Sequence, residues 1–539
     1  MKNPRVLGWA TVSLAIAGWA GICCLYPIYF QRDDVFWLLD WPMNHTWLDA
    51  FVRNTGDPYW NGEGRFLPVL ALIRLLEQRL FGLHEWPYQF LLGVAFIFSL
   101  FFLFLIVKNA RNAAAAALAV ALWPVAFNGQ MTTLFWFTDN IHIAEMLFLC
   151  SGLYVFTRSF GASRPGVALA ILLMAFAMLT RDPARIILPT TLAAFMFFEG
   201  HFSLRWSWLR TILTTSIPLL LGVIYVLFFH NYGMSSGEQD PGFGPFLAAM
   251  LVRLGFYGKL LSGGITGLAL VLPAAHVALK RVFPTRMALS LAAILAVTVA
   301  LMHWHYVGLL LLLVGGLCLP VRVWFFLPWV FVPLAGLLLI HNVIPTYMFE
   351  LTFGAAALAG MQWAIVVEDL RSDSCLLRIP RTVALSGMVL LLLAGLGAGS
   401  VKISRLAKLL RLRSDMTMLL KQATPALRNL PEGSTLAIVN YEDMGIRFIE
   451  DMIHWSEEEK ILTQSPLVPK KWATSWLRVI GRPDVAIADW GSQPQDAYLL
   501  LFTAKERAFF AKQNLPSETM AQASRGQASM VLLRLISPP

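Results

Sequence analysis

Apolar residues dominate the chain up to about position 400, in blocks separated by short polar connections. A helix needs about 20 apolar residues to cross the hydrocarbon of a bilayer. On that template spans are predicted over 7–29, 89–107, 113–128, 139–157, 165–180, 186–198, 211–229, 260–279, 287–302, 304–320, 323–340, 347–367 and 382–400, about thirteen in all. Beyond 400 the pattern turns polar and shorter in period. Thr435–Asn440, Asp484–Ala488, Ala497–Phe502 and Met530–Ile536 read as strands and Met444–Trp455 as a helix. The expected architecture is an all-α polytopic membrane protein over 1–400 with a small C-terminal α/β domain over 401–539.

Composition agrees with the pattern. Of 539 residues, 57% are hydrophobic and 14% charged, and the mean hydropathy is +0.63; a soluble domain is nearer half apolar and a quarter charged. The net charge of +10 falls in short connections between spans, at Lys108/Arg111, Arg158/Arg164, Arg205/Arg210 and Lys280/Arg281/Arg286. That is the distribution of cytoplasmic loops, and it marks topology rather than nucleic-acid binding. Cys23, Cys24, Cys150 and Cys318 lie in apolar stretches and form no CxxC pair, so neither a disulfide framework nor a zinc knuckle is indicated. The first apolar block is longer than a signal-peptide core and is read as a retained helix.

With the basic connections in the cytoplasm, three long segments face outward: 30–88, 230–258 and the tail. The first is amphipathic and carries Trp41, Trp47 and Trp60, as expected of helices lying on the membrane surface. The basic run Lys402, Arg405, Lys408, Arg411 and Arg413 directly after the last span is more usual on the cytoplasmic side; it also has the spacing of a helix lying on an anionic outer leaflet. The tail is expected outside.

Candidate chemistry gathers on that outer side. Arg32-Asp33-Asp34 follows the first span. Adjacent carboxylates there fit a solvated helix end, a base for an acceptor hydroxyl, or two ligands of a divalent cation. Asn61-Gly62-Glu63-Gly64-Arg65 reads as a tight turn, as a surface ion pair or as a phosphate contact through Arg65. Arg181-Asp182-Pro183-Ala184-Arg185 interrupts an otherwise apolar stretch, fitting either snorkelling at the interface or an anion partner such as a lipid phosphate. Asp139, His142 and Glu145 lie at i, i+3 and i+6 near one helix face, and Glu350 opens a late span. His303 and His305 flank Trp304, a spacing commoner at interfaces than in metal sites. Asn44-His45-Thr46 is a glycosylation sequon, relevant only in a eukaryotic secretory membrane.

These motifs, in this order and on this side, resemble the GT-C membrane glycosyltransferases. The nearest branch holds protein O-mannosyltransferases and the bacterial transferases that add aminoarabinose to lipid A. That branch often has Arg-Asp-Glu in its first outward loop, matched by Arg32-Asp33-Asp34, and a Leu-Thr-Lys-Gly-Pro-like stretch ending in Leu-Pro, similar to Leu179–Pro189 here. Its Arg-Tyr before a late span has no match; the chain offers His341-Asn342 and Pro345-Thr346-Tyr347. The resemblance implies transfer of a sugar from a polyprenyl-phosphate donor to a lipid, glycan or protein acceptor on the outer face. In that scheme Asp33 is the base, and Asp34, Glu63 and Arg65 shape the site. Arg181 and Arg185 hold the donor phosphate, with Asp139, His142 and Glu145 as further substrate contacts. The implied setting is a multi-pass bacterial inner-membrane protein. A transporter or flippase of a lipid-linked or polar solute is the alternative; it predicts inverted repeats and midplane charges, and no repeat is found. A non-catalytic assembly protein whose tail binds a partner is a third.

Overall fold

In a computed structural model, the residues described are 35–52, 67–126, 140–160, 162–198, 243–262, 264–302, 304–339, 348–372, 417–438, 470–489, 498–501, 504–525 and 528–536. The expected spans 7–29, 211–229 and 382–400, the helix Met444–Trp455 and the basic run after 401 lie outside them.

The membrane part is helical. A π-helical turn, Val35–Asp40, leads through a short Trp41–Met43 turn to α1 (Trp47–Val52) and α2 (Pro68–Phe81). There follow α3 (Glu85–Ala110), α4 (Ala113–Ala126), α5 (Asn140–Ser159), α6 (Arg164–Thr180) and α7 (Asp182–Phe198). The next six are α8 (Phe243–Ser262), α9 (Gly264–Leu279), α10 (Thr285–Leu301), α11 (His305–Leu317), α12 (Phe326–Leu339) and α13 (Phe349–Ser372). Among the described residues three helices are long and apolar enough to cross a membrane, within α3, α5 and α13, and shorter apolar helices pack with them.

Backbones approach closely where side chains vanish. A Cβ on Gly360 of α13 would lie 2.5 Å from the Ala119 nitrogen and 2.6 Å from the Ala115 oxygen of α4. Gly315 of α11 meets the Ala274 backbone of α9 as tightly. Without a hydrophobic drive between helices in lipid, such small-residue contacts supply association.

Two ends of the bundle can be told apart. At one, Arg111 pairs with Glu368 at 2.7 Å, and Asp369 receives both Lys280 and His276, the latter at 2.9 Å. The basic connections after α3 and α9 therefore share an end with the close of α13. At about 1.5 Å per residue, α3 and α13 each run from that end to the other, where His84, at the start of α3, and Glu350 lie.

Three expectations are corrected. Residues 243–258, expected in an outward loop, belong to α8. Its Arg253 and scattered glycines hid the helix, but Arg253 is buried and donates to the Leu338 carbonyl at 2.8 Å. Trp41, expected on the membrane surface, is buried against Ala71 and Leu75 and stacks on His45. The strand Ser517–Arg525 has no counterpart in the sequence reading, because it is an exposed edge without apolar alternation.

In the tail, a helical stretch over 417–428 leads to β1 (Thr435–Ile438), α14 (Lys470–Val479), β2 (Ala486–Asp489), β3 (Tyr498–Leu501), α15 (Ala504–Lys512), β4 (Ser517–Arg525) and β5 (Ala528–Leu535). The sheet order is β2-β1-β3-β5-β4, with β1 parallel to β2 and β3 and β5 antiparallel to β3 and β4. The four strands read from the sequence are present within a few residues of their expected bounds. The tail packs on the membrane part: Trp476 and Leu477 of α14 share a core with Val35, Leu38 and Leu39, so the tail and the first loop lie on one side.

Candidate functional site

The site forms where α5, α6, α7 and α13 meet at the end of the bundle opposite the Arg111–Glu368 pair. The first turns of α5 and α13 each contribute an ionisable residue. His142 Nδ1 lies 2.6 Å from Glu350 Oε1, and the two side chains are 2% and 1% exposed. Between α6 and α7 the chain is extended for one residue, Arg181, because Pro183 two places later disfavours continuing the preceding helix. That break turns the Arg181 side chain into the bundle, where its Nη1 contacts both Glu350 Oε1 and His142 Nδ1. Phe349 covers the imidazole edge-on, and Trp329 donates its indole N–H to the Glu350 carbonyl at 3.1 Å.

Glu145, one turn beyond His142, accepts the Ala184 N–H at 2.6 Å. Its carboxyl thus caps the first turn of α7, where unpaired amide groups and the helix dipole favour an acid. Arg185 turns the other way: its Nε donates to the Met178 carbonyl at 2.8 Å near the end of α6, and the side chain is buried. The Glu145 and Glu350 carboxyls also face each other, and among the described residues their second oxygens are buried with no further hydrogen-bond partner. Such atoms are costly to leave unsatisfied in an apolar interior.

Of the residues singled out from sequence, the structure brings His142, Glu145 and Arg181 together around Glu350, while Arg185, in the first turn of α7, is directed to the Met178 carbonyl instead. Asp33, Asp34, Glu63, Arg65 and Asp139 lie outside the described residues, as does His303; the side chain of Asp182 is likewise not described. Arg181 does not stand open to a ligand. Glu350 neutralises it, and an incoming phosphate has to compete for or share the guanidinium, which carries five donors. Arg185 serves the backbone of α6 as well as any ligand. Among the described residues no group of three or more His, Cys, Asp or Glu is arranged to hold a metal ion.

Two residues went unremarked in the sequence. Arg253 is a buried cation whose helix was read as a loop. Asp40 is 1% exposed and meets the tail through Arg478; nothing in its local pattern marks a carboxylate with a partner more than four hundred positions away.

No protein-family model and no curated protein matches the chain. Among solved structures it is similar to ArnT from Cupriavidus metallidurans in the apo state, with a TM-score of 0.46 and 14% identity over 98% of each chain. The same protein bound to undecaprenyl phosphate matches with a TM-score of 0.42 and 12% identity, over 97% of this chain and 98% of that one. Archaeal oligosaccharyltransferase AglB from Archaeoglobus fulgidus, in complex with an inhibitory peptide and a dolichol-phosphate, matches with a TM-score of 0.45 and 13% identity, over 98% of this chain and 74% of that one. At such identities and TM-scores these are likenesses in the course of the chain alone, and residues and activity have to be read from this molecule.

Proposed function

We propose that the chain is an integral-membrane glycosyltransferase that moves a sugar from a polyprenyl-phosphate donor to a lipid, glycan or protein acceptor on the outer face. It would comprise a transmembrane catalytic part over 1–400 and an outward α/β domain over 401–539, and a bacterial inner membrane is its expected setting. The observation that carries the reading is Arg181: an arginine only 12% exposed at one end of an apolar bundle, oriented by Glu350 and His142. That end also receives the segment that follows Asp33-Asp34.

In this scheme the Asp33 carboxylate takes the proton of the acceptor hydroxyl as its oxygen bonds to the anomeric carbon. The bond from that carbon to the phosphate oxygen breaks, with inversion. Negative charge then grows on the leaving phosphate, and Arg181 is the cation placed to meet it, with Arg185 behind; such preorganised charge is commonly the largest catalytic contribution. Glu350 holds the guanidinium in place between turnovers, and His142 and Glu145 line the same wall. Asp34, Glu63 and Arg65 complete the site from the first loop. A divalent cation, if the reaction uses one, belongs to the Asp33-Asp34 pair.

The test has two arms. Mass spectrometry of envelope glycans and lipids with and without the gene should reveal a sugar modification that disappears with it. Asp33→Asn should fail to restore that product while folding normally, and restoration to near-normal levels would remove Asp33 from the role of base. In detergent, Arg181→Ala should weaken undecaprenyl phosphate binding by about tenfold or more, the scale of a lost charge-assisted contact. Unchanged affinity would sink the phosphate role.

A further inference from the structure

The tail reaches the membrane part at a point with its own chemistry. Asp40 closes the π-helical turn Val35–Asp40, and its carboxyl is almost wholly buried. Asn44 donates to its Oδ1 at 2.8 Å from within the same loop. The other partners come from α14 of the tail, more than four hundred positions away: Arg478 Nη1 stands 3.6 Å from Oδ2, and the buried Ser475 also hydrogen-bonds the carboxyl. Burial pushes the Asp40 carboxyl above the ordinary carboxylate range, against the pull of Ser475, Arg478 and Asn44. Around this polar contact, Val35, Leu38 and Leu39 belong to the same apolar core as Trp476, Leu477 and Ile480, and the turn lies against α14.

Two features argue that the contact does more than glue the tail in place. A buried carboxylate and a cation joined across an interface fix register more than they add stability, since desolvation offsets most of the attraction. An apolar patch alone would have docked α14 with more freedom. The turn that the contact holds is also a π-helix, a geometry rare enough to need support from outside and frequent at functional sites. Its first residue, Val35, is bonded directly to Asp34.

We infer that Arg478 and Ser475 of the tail are positioning residues, which by clasping Asp40 hold in its π-helical form the Val35–Asp40 turn that adjoins Asp34 in sequence. The tail is then part of the transfer machinery without touching substrate. This role rests on the proposed activity, but the clasp itself can be measured apart from it.

The experiment uses the full chain in detergent, comparing Arg478→Ala, Asp40→Asn and Arg478→Lys with the parent by hydrogen–deuterium exchange and by cellular product. Arg478→Ala and Asp40→Asn should each speed exchange over 35–43 about tenfold or more, as expected when a local unit loses its tether. Exchange over 349–372 and in the strands of the tail should stay unchanged, and Arg478→Lys should return 35–43 most of the way to the parent rate. In cells lacking the gene, the first two variants should lower the envelope product about tenfold at equal expression. Undecaprenyl phosphate affinity should stay within about twofold, separating a loss of turnover from a loss of donor binding. Unchanged exchange over 35–43 in Arg478→Ala, with the tail folded, overturns the clasp. Faster exchange with undiminished product overturns the positioning role. If the parent itself yields no product, the glycosyltransferase reading fails and the exchange arm still decides the clasp.

Discussion

Glu350 sits where α5, α13 and the break between α6 and α7 bring ionisable side chains together, and its neighbours determine what its loss would do. Removing the carboxyl leaves the Arg181 guanidinium buried without its counter-charge, a change that typically costs about 3–5 kcal/mol. Glu350→Ala should therefore unfold at markedly lower SDS fraction in mixed micelles. The double variant Glu350→Ala, Arg181→Ala should recover part of the loss, since the two effects are coupled rather than additive; strictly additive losses would refute the pairing. Sequence reading marked His142, Glu145, Arg181 and Glu350 because ionisable side chains are rare in apolar stretches. It could not join them. The His142–Glu350 and Arg181–Glu350 contacts close over 208 and 169 positions, and no local period encodes a meeting at that distance.

At the scale of helices and turns, two devices make definite predictions. Gly360 lets α13 lie on α4, and the atoms a Cβ would strike are backbone, which cannot swing aside. Gly360→Ala should thus cost about 1–3 kcal/mol, read as earlier thermal unfolding in detergent. In the tail, Arg482 ties the end of the 417–428 helical stretch to the turn before β2. It donates to the carbonyls of Leu427, Arg428, Leu430 and Pro431 and pairs with Asp484 at 2.7 Å. Hydrogen bonds from Arg482 hold the Asp484 carboxyl down to about 2, against an ordinary 3.8. A lowered acid stabilises the fold in its ionised form, so the contribution is complete above 3.8 and drains away as the pH falls towards 2. Protection of the 427–436 backbone should fall over that window in the parent, while Asp484→Asn should show the weaker protection already at neutral pH and no further loss there. Long apolar helices and the inner strands were legible because their periods are strong. Helix α8 was not, since one arginine and several glycines broke a pattern that tertiary contacts complete, and β4 was not, since an exposed edge has no buried face to write into the sequence.

For the molecule as a whole, the side of the membrane taken by the tail was the weakest point of the sequence reading, because the basic run after 401 argued one way and the span order the other. Contact between α14 and the Val35–Asp40 turn places the tail with the first loop whatever the number of spans. Cysteine-accessibility mapping on intact cells checks the outward orientation: single cysteines at exposed Leu515 and Trp47 should react together with an impermeant reagent, and one at Val282 should not. Labelling of Leu515 and Val282 positions alike would break the proposed topology.

Helix α2 buries two charges beside Leu70, Ala71 and Leu75 while turning leucines outward. Arg74 and Glu77 are buried, whereas Leu76 and Leu80 are 49% and 64% exposed, and Trp86 just beyond is 67% exposed. A side chain of leucine turned outward is comfortable against acyl chains and poorly placed against water. The consequence is one of traffic. Under the proposed function, a donor with a long prenyl tail would approach past this apolar face, sideways along the leaflet.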